Sequence, residues 1–294
     1  MSDLLSACSQ SALRAALDTL RDHGLEPDRC DILQDANTLV VRLTADLVAR
    51  VVQDLDGPRA GTAWFERENA VAMHLTRRGA PVVPLHEALP SGPHLRDGYP
   101  INFWRFVEVV DRPADPHEAG FALRRCHEAL TDLAEPLPRL AILREAQAML
   151  EGRDLLPPEA QSLVHRRLST ALGGLEQAPV QPLHGDAHEG NLMVTRNGLL
   201  WSDWEDAFAG PVEWDLASLI WNARLLDQDS AAAEAMLAGY QAAGGTLDQQ
   251  VLDQCLVARA AVMCAWYPVL YPQPDAERRA KLKHRLDWLA TYPD

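Results

Sequence analysis

The run Pro182–Val194, PLHGDAHEGNLMV, sets His184, Asp186, His188, Glu189 and Asn191 among two glycines and between apolar shoulders. Such a mix suits neither a helix nor a core strand, so its side chains are candidates for chemistry. His184, Asp186 and His188 alternate, and an extended chain would turn all three to one face. Two imidazoles and a carboxylate could hold zinc and drive a metal-dependent hydrolysis. Against that cage, Gly185 and Gly190 weaken a regular strand and no second His/Cys pair lies nearby. Downstream, Asp203 follows the apolar Leu199-Leu200-Trp201, and Arg196-Asn197-Gly198 carries the Asn-Gly signal of a tight hairpin. A hairpin there lets Asn191 and Asp203 lie side by side. A carboxamide oxygen and a carboxylate together suit Mg²⁺, a hard ion that prefers oxygen and keeps waters for substrate phosphates. Asp186, five residues before Asn191, then sits one loop away as a proton acceptor. These are the parts that phosphoryl transfer needs.

Positioning them takes a stable scaffold. The chain has 294 residues, 47% of them apolar, enough for one large or two modest domains with a buried core. Its net charge of −15 argues against a nucleic-acid-binding face. The acidic balance favours a cationic small ligand over an anionic one, although the same excess serves solubility equally well. Five scattered cysteines without a CxxC fit free thiols in a reducing, cytoplasmic setting. No basic start followed by an apolar run marks a signal peptide. The longest uncharged stretch, Ala260 to Pro274, is too short for a membrane span and holds three prolines. Oligomeric state is not legible.

Residues 4–22 have the leucine spacing of an amphipathic helix, stopped at Gly24. Three strand-like runs follow, 29–35, 38–44 and 46–52, with turn residues between them, and form a meander. The segment 53–61 is a loop and 62–78 a helix ended by Gly79 and Pro81. Two more strands are expected near 82–88 and 101–108, the Gly/Pro-rich 89–100 between them forming a long hairpin tip. From Pro113 helical patterns dominate: 116–134, 139–150, 158–173 and four more after 211. The strand-like pieces there are Leu192–Thr195 and Leu199–Ser202. The layout is α+β: a sheet-rich half over 1–107, and a larger helical half over 108–294 that begins with a connector near 108–114. Ligands are expected between the halves.

The spacing His-Gly-Asp-x-His-x-x-Asn, then an apolar hairpin, Asp-Trp-Glu and GPVEWDLASL, resembles the catalytic loop and metal-binding aspartate of the aminoglycoside phosphotransferase-like small-molecule kinases. The likeness is carried most strongly by 183–219. It implies a bilobal protein-kinase-like fold, with a small antiparallel-sheet N-lobe and a mainly helical C-lobe. It implies transfer of the γ-phosphate of ATP, or GTP, to a hydroxyl of a small molecule. Asp186 is then the catalytic base and Asn191 and Asp203 the Mg²⁺ ligands. His188 stands where protein kinases carry a lysine near the γ-phosphate. The family also requires a basic residue on the third strand and a glutamate on the next helix. Arg50 lies between Val48 and Val52 on one strand face, and a charge on an apolar strand needs a partner or a ligand. Glu68 matches the helix better than Glu66, which falls on another side. Arg50, Glu68 and Val48 are thus assigned to the nucleotide. INFWRFVEVV, 101–110, corresponds to the segment leading into the purine-binding hinge.

A Gly-rich phosphate loop is absent; DANTLVV, 35–41, offers Asn37 but no glycine. That departure keeps open a nucleotide-binding but inactive scaffold. His184 reads as a brace for the loop, Glu205 as a support for the metal or a loop cap, and Asp215 as a carboxylate bonded to the loop from a helix N-terminus. Residues 255–272 form an apolar helix, from which Trp266 and Tyr267 could line the acceptor pocket. Glu189, Asp206 and Glu213 could face an amino-bearing acceptor.

Overall fold

A computed structural model describes residues 6–55, 61–226 and 229–292. Residues 56–60 of the expected loop 53–61 lie outside the described residues. The chain divides into two compact units, Met1–Pro113 with Met193–Glu205, and Ala114–Leu192 with Asp206–Asp294.

In the first unit, α1 (Ala7–Asp22) precedes the strands β1 (Asp31–Asp35), β2 (Thr38–Arg42) and β3 (Leu47–Val52). Helix α2 (Ala63–Arg77), β4 (His94–Arg96) and β5 (Tyr99–Arg105) complete the sheet, antiparallel in the order β1-β2-β3-β5-β4. Ser6 caps α1 by accepting a hydrogen bond from the Ser9 N–H. Strand β3 shows why the sheet has two distinct faces. Leu47, Ala49 and Val51 are fully buried in one core with Ala12, Ala15, Ala16 and Leu20 of α1, whose small side chains permit close approach. The alternate residues Val48, Arg50 and Val52 point the other way. On α2 the buried stripe Phe65, Glu68, Val71, Ala72 and Leu75 follows helical spacing, so Glu68 occupies a core position.

The expected strand at 82–88 does not form. Val82 and Leu85 make only isolated bridges, to Trp201 and Trp104. Pro84 lacks the N–H a continuous ladder needs. The sheet instead takes its fifth strand, β4, from within the segment expected to be a hairpin tip, where His94 pairs with Ile101.

The second unit begins with α3 (Pro116–Leu130), capped by Asp115, then α4 (Ala141–Gly152), α5 (Pro158–Leu175) and the short β6 (Gln181–Leu183). A 3₁₀ turn, 189–191, leads out of it. The chain then forms β7 (Leu192–Thr195) and β8 (Gly198–Trp201), the Asn-Gly hairpin. Back in the second unit follow β9 (Phe208–Gly210), α6 (Val212–Trp221) running into a π-helical turn, α7 (Ser230–Ala242), α8 (Gln249–Leu270) and α9 (Ala276–Thr291). Strands β6 and β9 pair antiparallel, a ladder the sequence reading did not include. Among the described residues no helix is long and apolar enough to cross a membrane.

Candidate active site

The chemistry-bearing residues form two groups, one in each unit. The first is the loop after β6. The register Leu183 opposite Phe208 brings the loop beside 206–208. Gly185 turns the chain at φ +88°, and a Cβ there would stand 2.0 Å from the Asp206 carbonyl oxygen, so only glycine fits. Asp215, fully buried in the first turn of α6, accepts the backbone N–H groups of His184 (2.7 Å) and Gly185 (2.9 Å). Its Oδ2 also meets His127 Nε2 at 2.9 Å, and His127 Nδ1 lies 3.0 Å from the Tyr240 hydroxyl. The Trp214 indole donates to the Gly185 carbonyl at 2.7 Å. The loop is therefore pinned from beneath by one carboxylate and one indole.

On that base stands Asp186. Its Oδ1 accepts from Arg259 Nη2 of α8, and its Oδ2 lies 3.4 Å from His188 Nε2. His188 Nδ1 accepts the Gly190 N–H at 3.0 Å, so the ring proton sits on Nε2 and points to Asp186. The Asn191 carboxamide nitrogen donates to the Asp186 carbonyl at 2.9 Å, which fixes the orientation of the amide. His184 is fully buried, and its Nδ1 accepts the Asp186 N–H at 3.3 Å. Burial works to raise the Asp186 pKa, but the Arg259 charge, followed by His188, holds it well below the usual carboxylate range. Asp186 is thus a fixed anion and a weak base.

The second group surrounds Arg50 in the first unit. Its Nη1 pairs with Glu68 Oε1 at 2.9 Å, and its Nη2 with Glu205 Oε2 at 2.7 Å and Asp203 Oδ1 at 2.9 Å. Its guanidinium lies 5.2 Å from the Phe65 ring centroid. Asp203 takes a left-handed backbone, φ 64°, which turns its carboxylate off the strand line. Glu68, 1% exposed, also accepts from Asn102 Nδ2 at 3.3 Å. Burial, opposed by Arg50 and reinforced by Asp203 and Glu205, pushes Glu68 up to about 8. Burial alone would lower Arg50, but the three carboxylates raise it well above its ordinary value. Val48, buried, shares the Arg50 face and sits opposite Trp104. Glu66 instead bonds the Thr62 hydroxyl, on the other side of α2.

Sequence reasoning placed Arg50 with Glu68 and Asp215 with the loop, but missed Arg259, Asn102 and His127. Arg259 was detectable by the logic applied to Arg50: it is a lone charge in the apolar run CLVARAAVMCAW. Among the described residues no three His, Cys, Asp or Glu side chains are grouped as metal ligands, and buried His184 faces a backbone N–H. A carboxamide and carboxylates are, by contrast, the oxygen donors that a hard divalent ion takes. Glu213 is also engaged: its Oε1 accepts the Asp248 N–H at 2.8 Å.

A kinase-like fold carrying this loop defines a class of group-transfer protein, and comparison with known proteins makes the class specific. The sequence pattern of the phosphotransferase enzyme family matches residues 19–250, and the chain belongs to that family. None of the curated protein sequences matches it. Among solved structures it resembles an amicoumacin kinase in complex with AMP-PNP, Ca²⁺ and Ami, with a TM-score of 0.75 at 14% identity over 95% of each chain. It also resembles a choline/ethanolamine kinase family protein from Mesorhizobium loti, TM-score 0.69 at 17% identity, covering 97% of this chain and 96% of that one. A third is a spectinomycin phosphotransferase in complex with ADP and spectinomycin, TM-score 0.64 at 13% identity over 96% and 94%. At these identities the likeness establishes the fold: α+β and protein-kinase-like.

Proposed function

We propose that this protein transfers the γ-phosphate of ATP, with GTP as the alternative donor, to a hydroxyl of a small molecule. Asp186 receives and orients the acceptor hydroxyl. Asn191 and Asp203 hold Mg²⁺, which when bound neutralises phosphate charge. Arg50, positioned by Glu68, binds donor phosphates, Val48 packs against the nucleotide, and His188 assists at the phosphate. The observation that carries this reading is the Asp186 carboxylate, fixed by Arg259 and His188 and kept ionised. Such a group is a poor proton acceptor but a good positioning device, which suffices for a loose transition state with little proton transfer. The Arg50 cluster supports it: one guanidinium faces Asp203 and Glu205 as well as Glu68, so even with Glu68 protonated a triphosphate approaching it meets net negative charge and needs a divalent cation.

The test is nucleotide-dependent product formation with a panel of hydroxyl compounds, followed by ADP release. Asp186→Asn is expected to lower turnover by roughly 10³-fold or more while leaving MgATP affinity within about twofold. Wild-type turnover in that variant would overturn the assignment. A second reading, a nucleotide-binding scaffold without turnover, is favoured by the glycine-free turn 35–37 between β1 and β2. Stabilisation by MgATP without product from any acceptor would select it.

A further inference from the structure

The second unit buries three arginines, and their partners differ. Arg167 donates to the carbonyls of Leu289 and Tyr292 at the end of α9. Arg259 pairs with Asp186. Arg285, on α9, is 7% exposed and makes no ion pair among the described residues; its Nε and Nη1 are enclosed without an acceptor. It has a side-chain hydrogen bond with Tyr267, and its guanidinium lies 4.9 Å from the Tyr267 ring centroid and 6.0 Å from that of Trp221. Ring faces return only part of what hydration gives a guanidinium, so a buried one without an anion is left under-compensated. Arg259 repeats the pattern in part, because its Nε is also enclosed without an acceptor. Arg259 and Tyr267 are eight residues apart on α8 and so share a face. The charge of Arg259 is felt at Arg285, where, after burial, it adds to the lowering of the pKa. Of the carboxylates in this unit, Asp186 is taken by Arg259, Asp215 by the loop backbone and Glu213 by the Asp248 N–H, and none of these three pairs with Arg285.

We propose that Arg285, with Arg259 beside it, binds an oxyanion carried by the phosphoryl acceptor, so that the substrates are hydroxyl compounds bearing a carboxylate or a phosphate. A guanidinium meets either anion with charge-assisted hydrogen bonds, and Nε and Nη1 are the nitrogens of Arg285 that have no acceptor. The acidic composition had favoured a cationic acceptor, but Glu213, one of the acids available to an amine, is committed to the N-terminus of α8. The word acceptor rests on the phosphotransferase reading, so the test separates the two. Binding to the wild-type protein is measured by calorimetry and thermal shift, at constant ionic strength, with glycerate, its neutral counterpart glycerol and the amine serinol, and separately with MgATP. Glycerate is expected to bind, and glycerol and serinol to bind at least about tenfold more weakly. Arg285→Met, which replaces the charge by an apolar chain of similar length, is expected to weaken glycerate by about tenfold or more and to leave MgATP unchanged. Arg285→Lys, which keeps the charge but loses the fork, gives a second measure and should also weaken glycerate. Serinol or glycerol binding as well as glycerate, or glycerate affinity unchanged in either variant, overturns the oxyanion site. A response to MgATP without one to glycerate defeats this inference alone; a response to glycerate without one to MgATP defeats the kinase reading alone.

Discussion

Glu68 is a carboxylic acid held largely protonated at neutral pH by its place in the fold. Burial raises its pKa, Arg50 pulls it down, and Asp203 and Glu205 on the same guanidinium push it back up, to about 8. The folded value lies above the ordinary 4.5, so the folded chain binds the extra proton between those limits. The associated stability is fully present below about pH 4.5 and is lost as pH rises through 8. Denaturant titrations from pH 5 to 8.5 should show wild-type stability falling relative to Glu68→Gln, with a slope of at most about 1.4 kcal/mol per pH unit from this group. Parallel curves for the two proteins would show that Glu68 titrates normally. Arg50 was legible in the sequence because strand alternation exposes a charge on an apolar face, and Glu68 through the resemblance of its helix to that of the family. The Arg259–Asp186 pair was not read, because the two residues are 73 positions apart and only the tertiary fold joins them.

Close backbone approaches set the behaviour of the elements. Helices α3 and α7 cross at two glycines: a Cβ on Gly120 would meet the Met236 carbonyl oxygen at 1.8 Å, and one on Gly239 the His117 carbonyl oxygen at 1.9 Å. Backbone cannot yield as a side-chain tip does. Gly120→Ala and Gly239→Ala should therefore each cost about 2–4 kcal/mol in chemical denaturation, and the double variant less than the sum, since either methyl already forces the helices apart. Gly173 of α5 has nothing within 4 Å of its Cβ, and Gly173→Ala should stabilise by about 0.5–1 kcal/mol. Equal effects at positions 120 and 173 would contradict the close crossing. Gly185→Ala is expected to abolish the loop geometry, read as loss of turnover together with about 2–4 kcal/mol of stability. At this scale the long helices and the β1-β2-β3 meander were legible, because they repeat a period several times. Three-residue strands such as β4, β6 and β9 contain too little period to be read, and the apolar run 82–88 imitates a strand until its proline and its partners are known.

In the whole molecule the chain order and the compact units do not coincide, and this governs what can be cut. The hairpin residues 193–205 belong with the N-terminal sheet although they follow three helices of the other unit. Their attachment is specific. The Trp201 N–H donates to the Pro81 carbonyl and the Val83 N–H to the Trp201 carbonyl, each at 2.9 Å, and the Val110 N–H donates to the Val194 carbonyl at 2.8 Å. Trp201 is fully buried there. A fragment ending at residue 113 would leave those groups at 81, 83 and 110 unpaired and would uncover the apolar surface that Trp201 seals. A buried Trp removed from a core costs about 3–5 kcal/mol, a large part of the stability of a domain this size. Residues 1–113 expressed alone should therefore lack cooperative thermal unfolding and dispersed amide resonances. A version in which a short Gly/Ser linker joins 113 to 193–205 should recover both, because it restores the same partners without the helices. Native-like melting of the unlinked fragment would show that the sheet stands without its distant hairpin. Failure of the linked one would show instead that the helices are required for either part to fold.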